Sequence, residues 1–459
     1  MRILLTGGTG TLGKELGKEL VRRGHEITVV TRQSAESAKL YLPYPCEILV
    51  NDLNTNPLKT QTRFDAVIHL AGESIAGARW TGARKKRLLE SRTLTTRHLI
   101  EGLKSQPPAV LISASGIGIY GDRGDETLTE ESSPGNDFLA RICAEWEKEA
   151  LEMKSAETRV VLARIAAVLN LQEGALPEMA APFRMGAGAI IGTGKQWMSW
   201  IHIRDLVRGL IHILETPSLS GPVHLTAPRP VTNRELSVQL AQSLRMPLFI
   251  QSPRFVLSLI FGEKATVVLN SQRALSDKLS ASGFEFEFPQ IDRALANLCS
   301  AWARGEDLFV AEQFFYETKE NLFKYFCDAK NLETITPPHL NFHIEKISTP
   351  EIQKGTLIDY SLRLYGIPLQ WRTLISEWNP PHQFADQQLK GPYSLWDHTH
   401  QFESLGQGTL MTDIVRYKVP LKFFGRLAAG AWVTRDVRKI FQYRREVIGG
   451  MKFIETKRN

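Results

Sequence analysis

The stretch MRILLTGGTGTLG, residues 1–13, decides how this chain is read. RILLTGG is a short apolar run ending in glycines. TLGKELGKELVRRGH follows with Leu12, Leu16, Leu20 and Val21 at helical spacing, and EITVVTR is a second apolar run. Strand, tight turn, helix and strand make one right-handed βαβ unit. The glycines fall at Gly7, Gly10 and Gly13. A turn this tight needs residues tolerant of positive φ, and a pyrophosphate can approach only where no Cβ stands in the way. The amino end of the helix then offers N–H groups and a positive dipole to the phosphates. Between a first strand and a first helix, this spacing predicts dinucleotide binding.

The end of the second strand selects the dinucleotide. NAD-binding chains place a carboxylate about 20 residues past the glycines. Here the sequence reads VVTRQS, with Thr31 and Arg32 and no acid. A guanidinium pairs with a 2′-phosphate that a carboxylate would repel, so NADP(H) is expected. The alternative is that Arg32 is a surface residue after a strand. In VNDLN, Asp52 stands where a loop after a third strand could reach the adenine.

FDAVIHLAG, PAVLISAS and RVVLARIAAVL supply more apolar strands separated by helical patterns. This alternation calls for an α/β fold, a parallel sheet covered by helices on both faces. Together with TGGTGTLG, the segments HLAGE (69–73), SASGIGIYGD (113–122), SWIHIRDLVRGL (199–210) and SQRALSDKLSASGFEFEFPQIDRAL (271–295) resemble an atypical short-chain dehydrogenase/reductase of the epimerase-like branch. The resemblance covers about residues 1–300. It implies a Rossmann-type doubly wound sheet with a small substrate lobe in about 217–300. It also implies cofactor contacts from Thr6, Gly7, Gly10, Thr11, Leu12, Gly13, Asp52, Leu53, Ala71, Gly72 and Glu73. GFEFEFPQ alternates as a half-buried strand does.

Ordinary members of that superfamily carry Tyr-x-x-x-Lys on a helix; the tyrosine moves a proton, and a serine steadies charge on the substrate oxygen. In DFLARICAEWEKEA (137–150) the corresponding positions hold Leu139 and Cys143. Leu139 can move no proton. Cys143 shares a helical stripe with Leu139, Ile142, Trp146 and Ala150, and reads either as a buried small hydrophobe or as a thiolate beside a cation. Arg92 points inward with Leu88 and Leu99; it is either a clamp for an anion or substrate oxygen, or half of an internal ion pair with Glu73 or Asp122. Ser115, at the end of the AVLISAS strand, matches the retained serine, with Ser113 as the fallback. Tyr120 is a substitute acid or a structural tyrosine, and Arg164 is a further cation near the same edge, assigned to the cofactor. Asp205 in SWIHIRDL is a candidate helix cap, with His202 as packing.

After CSAWARGED (299–307) the pattern changes to long alternating strands, NFHIEKIS, GTLIDYSLRLYG, LQWRTLISEWN, HQFADQQL, SLWDHTHQFESL and GTLMTDIVRYKVP, before the helical WVTRDVRKIFQYRREVI. Ile358, Tyr360, Leu362 and Leu364 share one strand face. This order resembles the START-like, polyketide-cyclase-like (SRPBCC) superfamily over about 307–455, an α+β helix-grip domain that holds hydrophobic small molecules; the other reading is a solid core. Trp396, His398, His400 and Phe402 share a face. Zinc sites take three or four protein ligands, and no third ligand is evident beside the two histidines. No metal is expected.

The chain has 459 residues, 43% hydrophobic and 23% charged, with a net charge of +7. That excess suits a phosphorylated ligand and is too mild to argue for nucleic acid. Four scattered cysteines form no C-x-x-C pair, and no apolar run approaches the ~20 residues of a membrane span. A cytoplasmic protein is expected, without a signal peptide. Two functions fit: an NAD(P)-binding oxidoreductase or epimerase-like enzyme acting on an unknown small molecule, or a non-catalytic NADPH sensor or scaffold.

Overall fold

The apolar runs of the first half become short parallel strands because each is bounded by a turn and buried on both faces. In this computed structural model, which describes residues 1–248, 250–253, 255, 257, 259, 262–364, 366–420 and 422–450, the chain divides into two units. One comprises Met1–Ala38 and Cys46–Ser300, the other Lys39–Pro45 and Ala301–Asn459. No helix among the described residues is long and apolar enough to cross a membrane.

The first unit runs β1 (Arg2–Thr6), α1 (Thr11–Arg22), β2 (Glu26–Thr31), β3 (Glu47–Val50), β4 (Ala66–His69), α2 (Gly82–Leu103), β5 (Val110–Gly116), α3 (Phe138–Leu151), β6 (Arg159–Ile165), α4 (Ile203–Glu215) and β7 (Gly221–Leu225). The strands form one parallel sheet in the order β7-β6-β5-β4-β1-β2-β3. Ile3, Leu4 and Leu5 are wholly buried, as central strands covered on both faces require. The strand order reverses between β1 and β4, and ligands of open α/β sheets bind in the crevice at that switch, beyond the carboxyl ends of the strands.

Two expectations change in detail. His202, not Asp205, caps α4: its Nδ1 accepts from Arg204 N at 3.1 Å. Asp205, only 1% exposed, instead accepts the amides of Glu287 and Phe288, each at 2.8 Å. GFEFEFPQ is therefore not a strand. Phe284 and Phe288 are buried as the alternation predicted, but these two amides go to a carboxylate rather than to a ladder.

The second unit runs β8 (Asp307–Phe315), α5 (Lys319–Cys327), α6 (Ala329–Thr334), β9 (His343–Ile347), β10 (Leu357–Leu364), β11 (Ile367–Asn379), β12 (Gln383–Lys390), β13 (Leu395–Leu405), β14 (Gly408–Lys418) and α7 (Lys422–Gly449). α5 and α6 are separate helices because Asp328 ends the first and caps the second through Lys330 N. The strands form an antiparallel sheet in the order β8-β14-β13-β12-β11-β10-β9, with register shifts in β9 and β11; such bulges bend a sheet. Val433, Val437 and Phe441 of α7 pack on Val415 and Tyr417 of β14.

Asp205→Ala leaves two amides without their charged acceptor. At about 1.5–3 kcal/mol for a hydrogen bond to a charged group, unfolding of the protein in urea is expected to show a loss of about 3 kcal/mol.

Candidate functional site

The glycine turn closes on itself by contacts that exclude side chains. Gly7 has φ +71°, and a Cβ there would lie 2.8 Å from the carbonyl carbon of Leu70, beyond β4. A Cβ on Gly13 would lie 2.3 Å from Gly7 O, holding the first turn of α1 against the loop. Gly10 is the helix N-cap and brings no side chain to the helix end. The Thr11 hydroxyl donates to the Glu173 carboxylate, so an anionic group already lies at this end of α1. A cradle that any Cβ would fill, at an uncapped helix start, fits a dinucleotide pyrophosphate.

Not every residue assigned to the cofactor faces it. The Thr6 hydroxyl is buried, accepting from Ala71 N at 3.2 Å and bonded to His69 Nδ1 at 2.7 Å; it braces the crevice. His69 continues through Nε2 to the Thr96 hydroxyl at 2.9 Å. Burial pulls the His69 pKa down to about 3. The Leu53 side chain lies in the core with Leu4, Val30 and Leu58, leaving only its backbone, whose carbonyl is taken by His98. Arg32 is exposed at the end of β2 and helps lower the Asp52 carboxyl, which is held mainly by Asn54. The Glu73 carboxylate pairs with Arg84 and Arg87, while its carbonyl accepts from Arg92 at 2.9 Å.

Arg92, Ser115 and Cys143 converge on a cavity of about 280 Å³ also lined by Leu139 and Trp146. Arg92 reaches it across Gly72, where a Cβ would sit 3.2 Å from the guanidinium carbon. The internal ion pair weighed for Arg92 does not form. Its guanidinium donates to the carbonyls of Leu88 and Glu73 and lies 5.1 Å from the Trp146 ring centre. Asp122 is occupied by the amides of Ser271 and Gly124. Arg92 thus enters the cavity wall as a cation with no carboxylate at ion-pair distance among the described residues, the Glu73 charge acting on it from further off.

Tyr120 and Arg164 fall outside that cavity. Arg164 grips Glu147 through two bonds of 2.8 and 2.9 Å and reaches Tyr120 Oη at 2.7 Å. Tyr120 also contacts His224 Nε2 at 2.5 Å, and burial pushes its hydroxyl up to about 12. A guanidinium so committed is not available to a cofactor, and a tyrosine so held is no substitute acid. Ser115 donates to Glu147 at 2.7 Å, so its proton points into this network. Ser113 is buried beside its own strand. Burial outweighs the nearby Arg92 charge and raises Cys143 to about 11; it is a packed thiol, not a thiolate. Sequence reasoning missed Glu147, His224 and His69. Glu147 alone left a signal, as an acid one helical turn after Cys143.

In the second unit Ile358, Tyr360, Leu362 and Leu364 all face a cavity of about 210 Å³. Its floor is polar: Asp386, His398, His400 and Arg444. Asp386 on β12 stands directly opposite His398 on β13, and Asp413 on β14 directly opposite His400. A third side chain of ligand type, not evident in the sequence, therefore stands on a neighbouring strand, and the reason for expecting no metal does not hold.

A family model described as NAD dependent epimerase/dehydratase family matches residues 3–224, and one described as Domain of unknown function (DUF1731) matches 252–298. The chain is similar to epimerase family protein YfhF of Bacillus subtilis, 36% identical over 65% of this chain and 98% of that protein. It is also similar to the chloroplastic SDR39U1 homolog of Arabidopsis thaliana, 36% identical over 64% of this chain and 86% of the relative. The solved structure of human SDR39U1 (isoform2) with NADPH superposes with a TM-score of 0.59 at 32% identity, over 65% of this chain and 99% of that one.

Two measurements follow from the buried groups. A thiol raised from 9.0 to about 11 holds about a hundredth of the thiolate of an ordinary cysteine at pH 8. Cys143 is expected to resist iodoacetamide in the native protein and to react after denaturation, as read by peptide mass. His69 titrates near 3 when folded and near 6.5 when unfolded, so the unfolded chain takes the proton first. Stability is then lost as pH falls from 6.5 toward 3, at up to about 1.4 kcal/mol per pH unit from this group. Denaturation of His69→Asn between pH 6 and pH 4 is expected to show a correspondingly shallower slope.

Proposed function

The chain belongs to the NAD dependent epimerase/dehydratase family, and from that premise we propose that its first unit, about residues 1–300, is an NADP(H)-dependent oxidoreductase acting on a small carbonyl or hydroxyl compound. The observation that carries this reading is the convergence of Arg92, Ser115 and Cys143 on one cavity reached across Gly72 from the glycine cradle. Gly7, Gly10, Gly13 and the first turn of α1 receive the pyrophosphate, backed by Ala71 and Gly72. Arg32 receives the 2′-phosphate, which its exposure and the absence of a competing acid at the end of β2 support. When bound, a nicotinamide supplies a hydride donor or acceptor. Arg92 orients the substrate oxygen and offsets its charge. Ser115 fixes one wall through Glu147. With Leu139 inert, Cys143 protonated and Tyr120 locked away, the proton comes from water.

We further propose that the second unit, about residues 307–455, is a START-like helix-grip domain holding an apolar small molecule, which the Tyr360, Trp371 and Phe384 lining of its cavity supports. A second reading, a non-catalytic NADPH sensor, is favoured by the same lack of a side chain able to move a proton.

Arg32→Glu is expected to weaken NADPH binding by about 10–100-fold, the loss of a charge-assisted hydrogen bond, and to change NADH binding much less; calorimetry that finds equal losses refutes the 2′-phosphate assignment. Incubation with NADPH and a panel of carbonyl compounds, followed by nicotinamide absorbance, is expected to show turnover that Arg92→Ala lowers by about 10²-fold. Tight NADPH binding without turnover on any compound, unaltered by Arg92→Ala or Ser115→Ala, would favour the sensor instead.

A further inference from the structure

We propose that Asp386, His398 and His400 bind a divalent first-row transition metal ion such as zinc at the floor of the second unit's cavity, with one coordination position open to that cavity. The site is independent of the nicotinamide reading.

Three ligand atoms, one from each residue, lie within 4.8 Å of one another. Asp386 Oδ2 is 3.5 Å from His398 Nδ1 and 3.6 Å from His400 Nε2. Both gaps exceed a normal hydrogen bond. They match the edge of a tetrahedron around an ion about 2.1 Å from each ligand, which is roughly 3.4 Å. The opposite ring nitrogens turn toward a single carboxylate oxygen. His398 Nε2 is 2.9 Å and His400 Nδ1 2.8 Å from Asp413 Oδ1. A carboxylate behind ligating imidazoles sets their tautomers and ring planes, leaving the inner nitrogens as lone-pair donors. Arg444 Nη1, 3.4 Å from Asp413, balances that carboxylate. Among the described residues Asp386 has no lysine or arginine within ion-pair distance, only the two histidines.

Packing holds the rings in place. His400 stacks on Phe384 at 4.2 Å and 20°, and His398 meets Phe441 edge-on at 5.4 Å. Two buried polar atoms here lack a hydrogen-bond partner, His400 Nδ1, close to Asp413 but out of line with it, and Arg444 Nε. Two imidazoles and one carboxylate suit zinc, cobalt, nickel or ferrous iron rather than calcium or magnesium. Three protein ligands at a cavity floor are the pattern of an open site, not of a closed structural one.

The test uses the full chain, stripped with a chelator and dialysed. Zinc is titrated by calorimetry, and cobalt by its visible absorption as a tetrahedral ion. One ion per chain is expected. Asp386→Asn, His398→Ala and His400→Ala are each expected to weaken zinc by at least about 100-fold, and Asp413→Asn by about 10–100-fold. His343→Ala, at an exposed histidine, is expected to change nothing. Circular dichroism checks that each variant folds. Asp386→Asn, isosteric and half-buried, decides the matter if a histidine variant does not fold. Absence of zinc and cobalt binding, or binding that Asp386→Asn leaves unaltered, overturns the proposal.

Discussion

The close approach of Gly7 to the Leu70 carbonyl is the constraint on which the first unit depends. β1 and β4 are neighbours at the point where the strand order reverses, and their exits can meet only if one carries no Cβ. That contact fixes the floor of the cradle. Two residues further on, the same economy of atoms lets Arg92 cross Gly72 to the cavity. Thr6, His69 and Thr96 bolt the two exits together from beneath through a neutral imidazole. Cradle and cavity are thus two openings of one backbone arrangement.

The rest of the candidate site is governed by the cost of burying charge. Arg164 and Glu147 are each less than 10% exposed, and a buried ion survives only when paired and hydrogen-bonded. Their pairing draws in Tyr120, Ser115 and, through Tyr120, His224. Every polar group in this knot has an internal partner, which removes Tyr120 and Arg164 from chemistry and turns the Ser115 proton inward. Arg92 escapes because its donors are met by carbonyls, which neutralise no charge.

The fold was legible where a local pattern determines it. Apolar runs bounded by glycine gave the strands of the parallel sheet, and period-two alternation gave those of the second unit. Gly7, Gly10 and Gly13 were legible because steric demand acts on single residues. What stayed hidden required a partner distant in sequence. Asp386 lies opposite His398 only once the register of β12 on β13 is known. Glu147, one helical turn after Cys143, finds its partner only when Arg164 arrives from β6. The alternating phenylalanines at 284–288 predicted burial correctly and the element wrongly, since Asp205 competes for the backbone donors that define a strand.

The order of strands in the second sheet has a consequence for how that half of the molecule comes into being. Among the described residues β8, the first of these strands to be made, pairs only with β14, the last of them, and the cavity's Arg444 arrives later still, on α7. Contacts between such distant segments form slowly, because a long loop must close before they give any return. While the ribosome is still at work, β8 is an open edge that other chains can pair with. The sheet, an open row with β8 and β9 at its edges, is complete only once β14 has been made.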